Sequence, residues 1–319
     1  MTASTRHAEA FRAARMYYDE GQTMEAIAGT LGVSRSTVSR LLRDAREDGL
    51  VRISLHPPGT HRSRDLRERI QDRFSVATRV VPAPAGTSER KRLQAVAAGA
   101  AAELERMLAP DMAVGLAWGT TVAAVVAELR PHPMPGLRIV QLNGAINTEG
   151  SGLTYVSTVL ARAASMWDAT VHQFPVPAFF DFAGTREAMW RERSVRRVLG
   201  AQQQCSLAVF GVGAFDAEVP SRAYTANYLT EQDLHSLRAD GAVGDVCTVF
   251  LRADGSWRGI GMNERCSGPS PDQLARIPRR LLMAAGTRKA VPLRAALLAG
   301  VATDLVVDEV TASSLLALD

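Results

Sequence analysis

The chain has 319 residues, 46% hydrophobic and 22% charged, with a net charge of +4 and a pI of about 9.2. That length suggests two domains, and the composition supports a packed core and excludes a disordered chain. Charged residues or Pro interrupt the apolar runs before the roughly 18 residues a membrane helix needs, and the N-terminus has no apolar signal core, so a cytoplasmic protein without membrane contact is expected. The basic pI is compatible with nucleic acid, yet residues 1–55 hold eight Arg against seven Asp and Glu. Any basic face there is local. Arg supplies 35 of the cations, leaving Lys91 and Lys289 as the two lysines. Cys205, Cys247 and Cys266 lack CxxC spacing and read as buried small hydrophobes. The six histidines form no HxH or HExxH pair, so neither a metal nor a cofactor is expected.

The first predicted helix spans residues 7–20, with Phe11, Ala14 and Tyr18 facing the next two helices. Residues 23–43, TMEAIAGTLGVSRSTVSRLLR, then read as helix, tight turn, helix. Gly32 sits at the turn, and Ser34 is placed to cap the second helix. From Ser34 to Arg43 that helix carries three arginines and no acid. The stretch resembles the helix-turn-helix of bacterial transcription regulators, whose second helix enters the DNA major groove. Its candidate DNA contacts are Thr23, Ser34, Arg35, Ser36, Thr37, Ser39, Arg40 and Arg43: cations and small hydroxyls for phosphates and base edges. An alternation over residues 49–55 predicts a short strand, hence a winged variant. The Pro- and Gly-rich break HPPGTHRS, residues 56–63, separates a DNA-binding domain over 1–56 from a second domain over 57–319. A charged helix follows at 63–74, with a narrow stripe of Leu66, Ile70 and Phe74.

Beyond it, strands predicted at 78–81, 112–116, 137–141, 169–173, 207–211, 245–251, 290–292 and 305–308 alternate with helices at 89–108, 120–130, 154–164, 185–193, 195–201, 230–238, 270–277 and 293–299. Such alternation implies an α/β domain with a mostly parallel sheet, whose ligands bind beyond the carboxyl ends of the strands. Gly119, Thr120 and Thr121 follow one strand and open a helix, which suits an anion or is plain capping. Gln141, Asn143 and Gly144 end the next strand, where the two amides either bond sugar hydroxyls or cap a turn. Asp245 follows a flexible Gly-rich turn and is placed to accept from paired hydroxyls. Lys289 either pairs with a phosphate or is a surface lysine. Gly211-x-Gly213 and Gly259-x-Gly261 are followed by Asp216 and Glu264 where a dinucleotide fingerprint needs a small residue. No phosphate-binding GxxxxGK[ST] loop and no GxSxG elbow is present.

Taken in order, the helix-turn-helix, the charged helix, VGLAWGTTV, IVQLNGA, FGVGA, GAVGDVC, MAAGTRKAVPLRAALLAG and LVVDEVTASSLL resemble the SorC/DeoR-type sugar-responsive regulators over nearly the whole chain. The resemblance implies a C-terminal Rossmann-like effector domain similar to sugar-phosphate isomerases and deaminases. It also implies a phosphorylated sugar or polyol effector, assembly as dimers or tetramers, and control of a carbohydrate operon on double-stranded DNA. Gly119, Thr120 and Thr121 match the family's phosphate-binding turn, Asp245 its hydroxyl-contacting acid and Lys289 its effector-site base. One subgroup places a Schiff-base lysine where this chain has Asn143, so covalent capture of a deoxysugar phosphate is not expected here. The leading expectation is therefore a regulator and not an enzyme. The alternative is a sugar-phosphate-processing enzyme with an appended DNA-binding domain, which needs a positioned base that the sequence does not display.

Overall fold

The computed structural model describes residues 3–18, 20–51, 60–84, 86–149 and 151–318. The chain divides into two compact units, Met1–Pro58 and Gly59–Asp319.

The first unit packs α1 (Ala3–Tyr18) and α2 (Met24–Leu31) against α3 (Arg35–Glu47). Its core is thin: Ala10, Ala13, Ala14, Met16, Ile27, Val38, Leu41, Leu42 and Ala45. Helix α1 buries the small residues of its stripe. The large Phe11 (55% exposed) and Tyr18 (39%) face outward, contrary to the sequence expectation, which followed size rather than helical phase. Of the strand expected over 49–55, residues 52–55 lie outside the described residues, and Gly49, Leu50 and Val51 are not in a strand.

The second unit is built from α4 (Thr60–Phe74), β1 (Ala77–Val81), α5 (Glu89–Met107), β2 (Ala113–Leu116), α6 (Thr120–Glu128), β3 (Arg138–Gln141), α7 (Ser151–Trp167) and β4 (Thr170–His172). There follow α8 (Ala183–Met189), α9 (Arg193–Gln203), β5 (Leu207–Ala214), α10 (Arg222–Thr225), α11 (Glu231–Ala239), β6 (Ala242–Val246) and β7 (Val249–Arg252). The unit closes with α12 (Pro271–Leu274), β8 (Arg279–Ala284), α13 (Ala290–Leu298), β9 (Asp304–Asp308) and α14 (Glu309–Leu316). Strand order is β1-β9-β8-β5-β2-β3-β4, all parallel, and β6 and β7 extend the far end of β5 as an antiparallel hairpin. Both faces of the sheet are covered. Leu281 and Met283 of β8 pack with the side of α5, α6 and α7, whereas Leu282 and Ala284 pack with that of α4, α9, α13 and α14. Burial on both faces is why β8 reads as the run RRLLMA without alternation and is absent from the sequence expectation.

Two other expectations change. The single strand predicted at 245–251 is the β6–β7 hairpin, turned by Cys247 (φ 49°) and Thr248 (φ 71°), both in the left-handed region that a two-residue turn demands. The strand predicted at 290–292 is the first turn of α13, where Pro292 is tolerated because first-turn amides have no helical partner. The charged helix α4 does carry the narrow apolar stripe, with Leu66 and Ile70 fully packed. Chain order places the ligand-bearing end of the sheet. From β2 the chain steps through β3 to β4 at one edge, then returns to lay β5 on the other flank of β2. A crevice opens beyond the carboxyl ends of strands at such a switch point.

Candidate functional sites

In the first unit, Gly32 ends α2 in the left-handed region (φ 64°) and reverses the chain into α3. Thr23 and Ser34 are the two N-caps: their hydroxyls accept from Ala26 N (3.2 Å) and Thr37 N (3.2 Å). Ser34 also bonds the hydroxyls of Ser36 (2.8 Å) and Thr37 (2.9 Å), so its oxygen is largely committed to the start of the helix. Val38, Leu41, Leu42 and Ala45 turn inward, which leaves Arg35, Ser36, Ser39, Arg40 and Arg43 exposed and Thr37 half-buried. Ser36, Ser39, Arg40, Arg43 and Arg46 line one polar groove along α3. Arg46 belongs to this face and lies beyond the stretch singled out from sequence. Arg35 and Arg43 stand 3.9 Å from Glu25 and Glu47, whereas Arg40 has no ion-pair partner among the described residues. The surface offers a row of hydroxyls and guanidinium groups, the chemistry of a major-groove helix.

In the second unit a narrow cleft of about 40 Å³ opens at the switch point, lined by polar groups from several loops. β2 supplies the floor and runs through Trp118 into Gly119, whose φ of 151° lets the backbone enter α6 directly. No side chain caps the first-turn amides of α6. They point at the cleft with the positive end of the helix dipole. Lys289, in the short turn after β8, is buried rather than on the surface, and its Nζ donates to Thr121 Oγ1 (3.3 Å). Burial pushes the Lys289 ammonium below the ordinary lysine range, against the pull of Glu89 and Asp245. Asp245 of β6 is also buried; its Oδ1 accepts from the Tyr224 hydroxyl (2.5 Å) and its Oδ2 from Thr248 N (2.9 Å). Burial raises its carboxyl above the usual range, while the two hydrogen bonds and Lys289 hold it down. Asn143 lines the cleft with its Oδ1 buried and without a hydrogen-bond partner, a position that a ligand donor would satisfy.

Six of the eight positions expected to bind an effector thus line one cleft: Gly119, Thr120, Thr121, Asn143, Asp245 and Lys289. Gln141 and Gly144 do not. The Gln141 amide is spent inside the fold, donating to Asn143 O (2.7 Å) and accepting from Phe174 N (2.9 Å), and so shapes the β3 end without reaching the cleft. Gly144 donates to Ser267 Oγ (2.9 Å) and accepts from Trp118 Nε1 (2.7 Å); a Cβ there would meet Pro177 O at 2.3 Å. Its role is close packing. Ser221, Cys247 and Thr248 also line the cleft and had no signal in the sequence, because only the fold brings residues 215–230 and the hairpin turn over the end of β2. All three cysteines are buried, and burial pushes the Cys205 thiol up to about 12. Among the described residues no cluster of His, Cys, Asp or Glu is arranged for a metal, and no helix is long and apolar enough to cross a membrane.

Comparison with known proteins agrees with this division. A family model described as "Putative sugar-binding domain" matches residues 60–317, and a "Homeodomain-like domain" model matches residues 4–52. The chain is 30% identical over 309 residues to the deoxyribonucleoside regulator of Bacillus subtilis, covering 95% of each protein. It is 26% identical over 309 residues to the erythritol catabolism regulatory protein EryD of Brucella abortus, covering 96% of each. The crystal structure of a domain of a possible sugar-binding transcriptional regulator from Arthrobacter aurescens TC1 superposes with a TM-score of 0.76 at 42% identity, covering 82% of this chain and 100% of that one. The full-length sorbitol operon regulator SorC of Klebsiella pneumoniae shares the fold, with a TM-score of 0.73 at 24% identity over 96% of this chain and 97% of that one. These relatives are regulators rather than enzymes, which sets aside the sugar-phosphate-processing alternative. The chain belongs to the SorC family of sugar-binding transcriptional regulators.

Proposed function

We propose that this chain regulates a carbohydrate or polyol catabolic operon, with residues 1–56 binding operator DNA and residues 57–319 binding a phosphorylated sugar or polyol. The observation that carries the effector reading is the buried Lys289 ammonium at the uncapped start of α6. A lysine and a helix N-terminus together favour a phosphate, and a buried cation in an apolar fold otherwise costs stability. Asp245 and Asn143, on the same cleft wall, then take the hydroxyls of the carbon chain. On the DNA side Thr23 and Arg43 face the backbone, and Arg35, Ser36, Thr37, Ser39 and Arg40 face bases or phosphates, with Ser34 shaping the helix start. The first unit is nearly neutral overall, so one copy binds weakly, and the protein works in the cytoplasm as a dimer or tetramer that places several copies on DNA. The effector acts by its differential affinity for two arrangements of those copies.

The experiment is a thermal-shift screen of the full chain with sugars, polyols and their phosphates, followed by operator binding with each hit. A phosphorylated compound that raises the melting temperature and changes operator affinity is the expected result, because a ligand specific to the native state must stabilise it. Stabilisation by unphosphorylated sugars alone would refute the phosphate assignment. Turnover of a hit would refute the regulator reading.

A further inference from the structure

Residues 215–230, between β5 and α11, carry no site motif, yet they are bonded repeatedly to the cleft. Val219 N donates to Glu89 Oε1 (3.2 Å), and Pro220 O accepts from Thr120 Oγ1 (3.0 Å). The Tyr224 hydroxyl donates to Asp245 Oδ1, and farther on Tyr228 stacks on Trp118 with ring centroids 5.1 Å apart. The Tyr224 ring is packed beside Phe215 (4.9 Å) and Phe250 (6.5 Å), so packing places its hydroxyl before any bond to Asp245 is made. Against the same oxygen stands Gly213, paired in register with Asp245, where a Cβ would lie 1.9 Å from Oδ1 and 3.0 Å from the Tyr224 hydroxyl. Thr248 N holds Oδ2. Asp245 is therefore gripped at both oxygens and against the β5 backbone, and each oxygen keeps a lone pair.

We propose that Tyr224 is a positioning residue of the effector site: it fixes the Asp245 carboxylate so that its remaining lone pairs are aimed at adjacent hydroxyls of the bound sugar or polyol. The inference rests on the effector reading of the cleft given above. Tyr224 does not itself read the ligand, since its one donor is spent on Asp245. The charged and titratable groups facing that carboxylate are Tyr224, Lys289, Cys247 and Cys266. Burial disfavours the ionised form; Tyr224, Thr248 N and Lys289 favour it. Loss of the phenol therefore raises the pH at which Asp245 protonates and turns its accepting lone pair into a donor.

Tyr224→Phe keeps the ring and its packing and removes only the hydroxyl. In the full chain, carbon-13 NMR of the Asp245 carboxyl is titrated without ligand, and binding of sorbitol 6-phosphate is measured by calorimetry from about pH 5 to about pH 8. The expected result is an Asp245 midpoint moved upward and an affinity about tenfold weaker at pH 8, the value of one charge-assisted hydrogen bond, with a further loss at lower pH than the wild type shows. An unmoved carboxyl midpoint overturns the proposal, and so does an unchanged affinity and pH profile beside a moved midpoint. If sorbitol 6-phosphate fails to bind the wild-type chain, the polyol phosphate reading fails for that compound, and the carboxyl titration alone judges the hold of Tyr224 on Asp245.

Discussion

Arg40→Ala is the sharpest probe of the α3 surface. Arg40 is exposed, lies in the groove between Ser36 and Arg43, and has no ion-pair partner among the described residues. Arg43 differs, because contact with DNA must compete with Glu47 at 3.9 Å. Removing Arg40 therefore costs no intramolecular bond, and the measured change is the DNA contact itself. If Arg40 neutralises one phosphate per copy, the slope of log K against log salt falls by about 0.9 per copy, or about 1.8 for two copies on a two-part operator. Between about 50 and about 200 mM salt, that slope is worth roughly 3.5-fold per contact, so the variant loses most at low salt and converges on the wild type at high salt. Electrophoretic mobility shift or fluorescence anisotropy over a salt series measures both slope and intercept. An unchanged slope with unchanged affinity would refute the assigned face. A loss confined to the cognate operator with the slope intact would move Arg40 from phosphate to base edge.

Other consequences follow from the two cores and the cleft. Ile27→Ala removes a fully buried side chain from the thin first core; about 3 kcal/mol against the roughly 3–9 kcal/mol available to a unit of that size should largely unfold it, abolishing DNA binding while the second unit melts as before. A single shared melting transition would count against independent units. Lys289→Met should leave operator binding intact and remove the response to a phosphorylated effector, read as loss of the ligand-induced thermal shift; a normal shift would take Lys289 out of the site. Gly213→Ala should weaken effector binding by at least about tenfold, because a Cβ placed 1.9 Å from Asp245 Oδ1 must displace the carboxylate. Asp245→Asn should melt no lower than the wild type at pH 7: a carboxyl whose folded pKa is raised by burial gives stability that is present at low pH and lost as pH rises through the folded pKa. The wild type should therefore gain on the variant as pH falls toward about 4, and a variant several degrees less stable at pH 7 would show that the ionised form is net stabilising.

Local chemistry made the N-terminal unit legible in the sequence. Gly32 at a left-handed turn, Ser34 as a cap and the inward run Val38, Leu41, Leu42 are decided by residues within one turn of each other. The phase of α1 was less so: Ala14 packs inward as expected, but its partners are Ala10 and Ala13, a weaker hydrophobic signal than the outward-facing Phe11 and Tyr18. In the effector unit the strands flanked by clear turns were legible, and β8 was not, because burial on both faces removes the alternation that marks a strand. The same reasoning separates Asp245 and Lys289 from Tyr224. Lys289 follows the end of the parallel strand β8, where parallel sheets place ligands, and Asp245 is marked by the Gly-rich turn before it although it lies within the antiparallel β6. Tyr224 reaches the cleft only because residues 215–230 cross it, a long-range placement that no window of sequence carries.

Lys289 and Asp245 are buried in the cleft, Glu89 is buried near Lys289, and Asn143 Oδ1 is unpaired. Burial weakens the charged forms of both Lys289 and Asp245. On the effector reading proposed above, a phosphate on Lys289 with hydroxyls on Asp245 and Asn143 would offset each of these costs. A site stabilised in this way binds its effector more strongly than its contact area suggests, because part of the binding free energy is relief of native-state desolvation. It also sets the direction of coupling. If the proposed oligomer takes two arrangements, ligand concentration would favour the one that admits the effector. The size of the transcriptional response is then limited by the difference in effector affinity between the two arrangements. About 1.4 kcal/mol of that difference is needed for each tenfold change in their ratio.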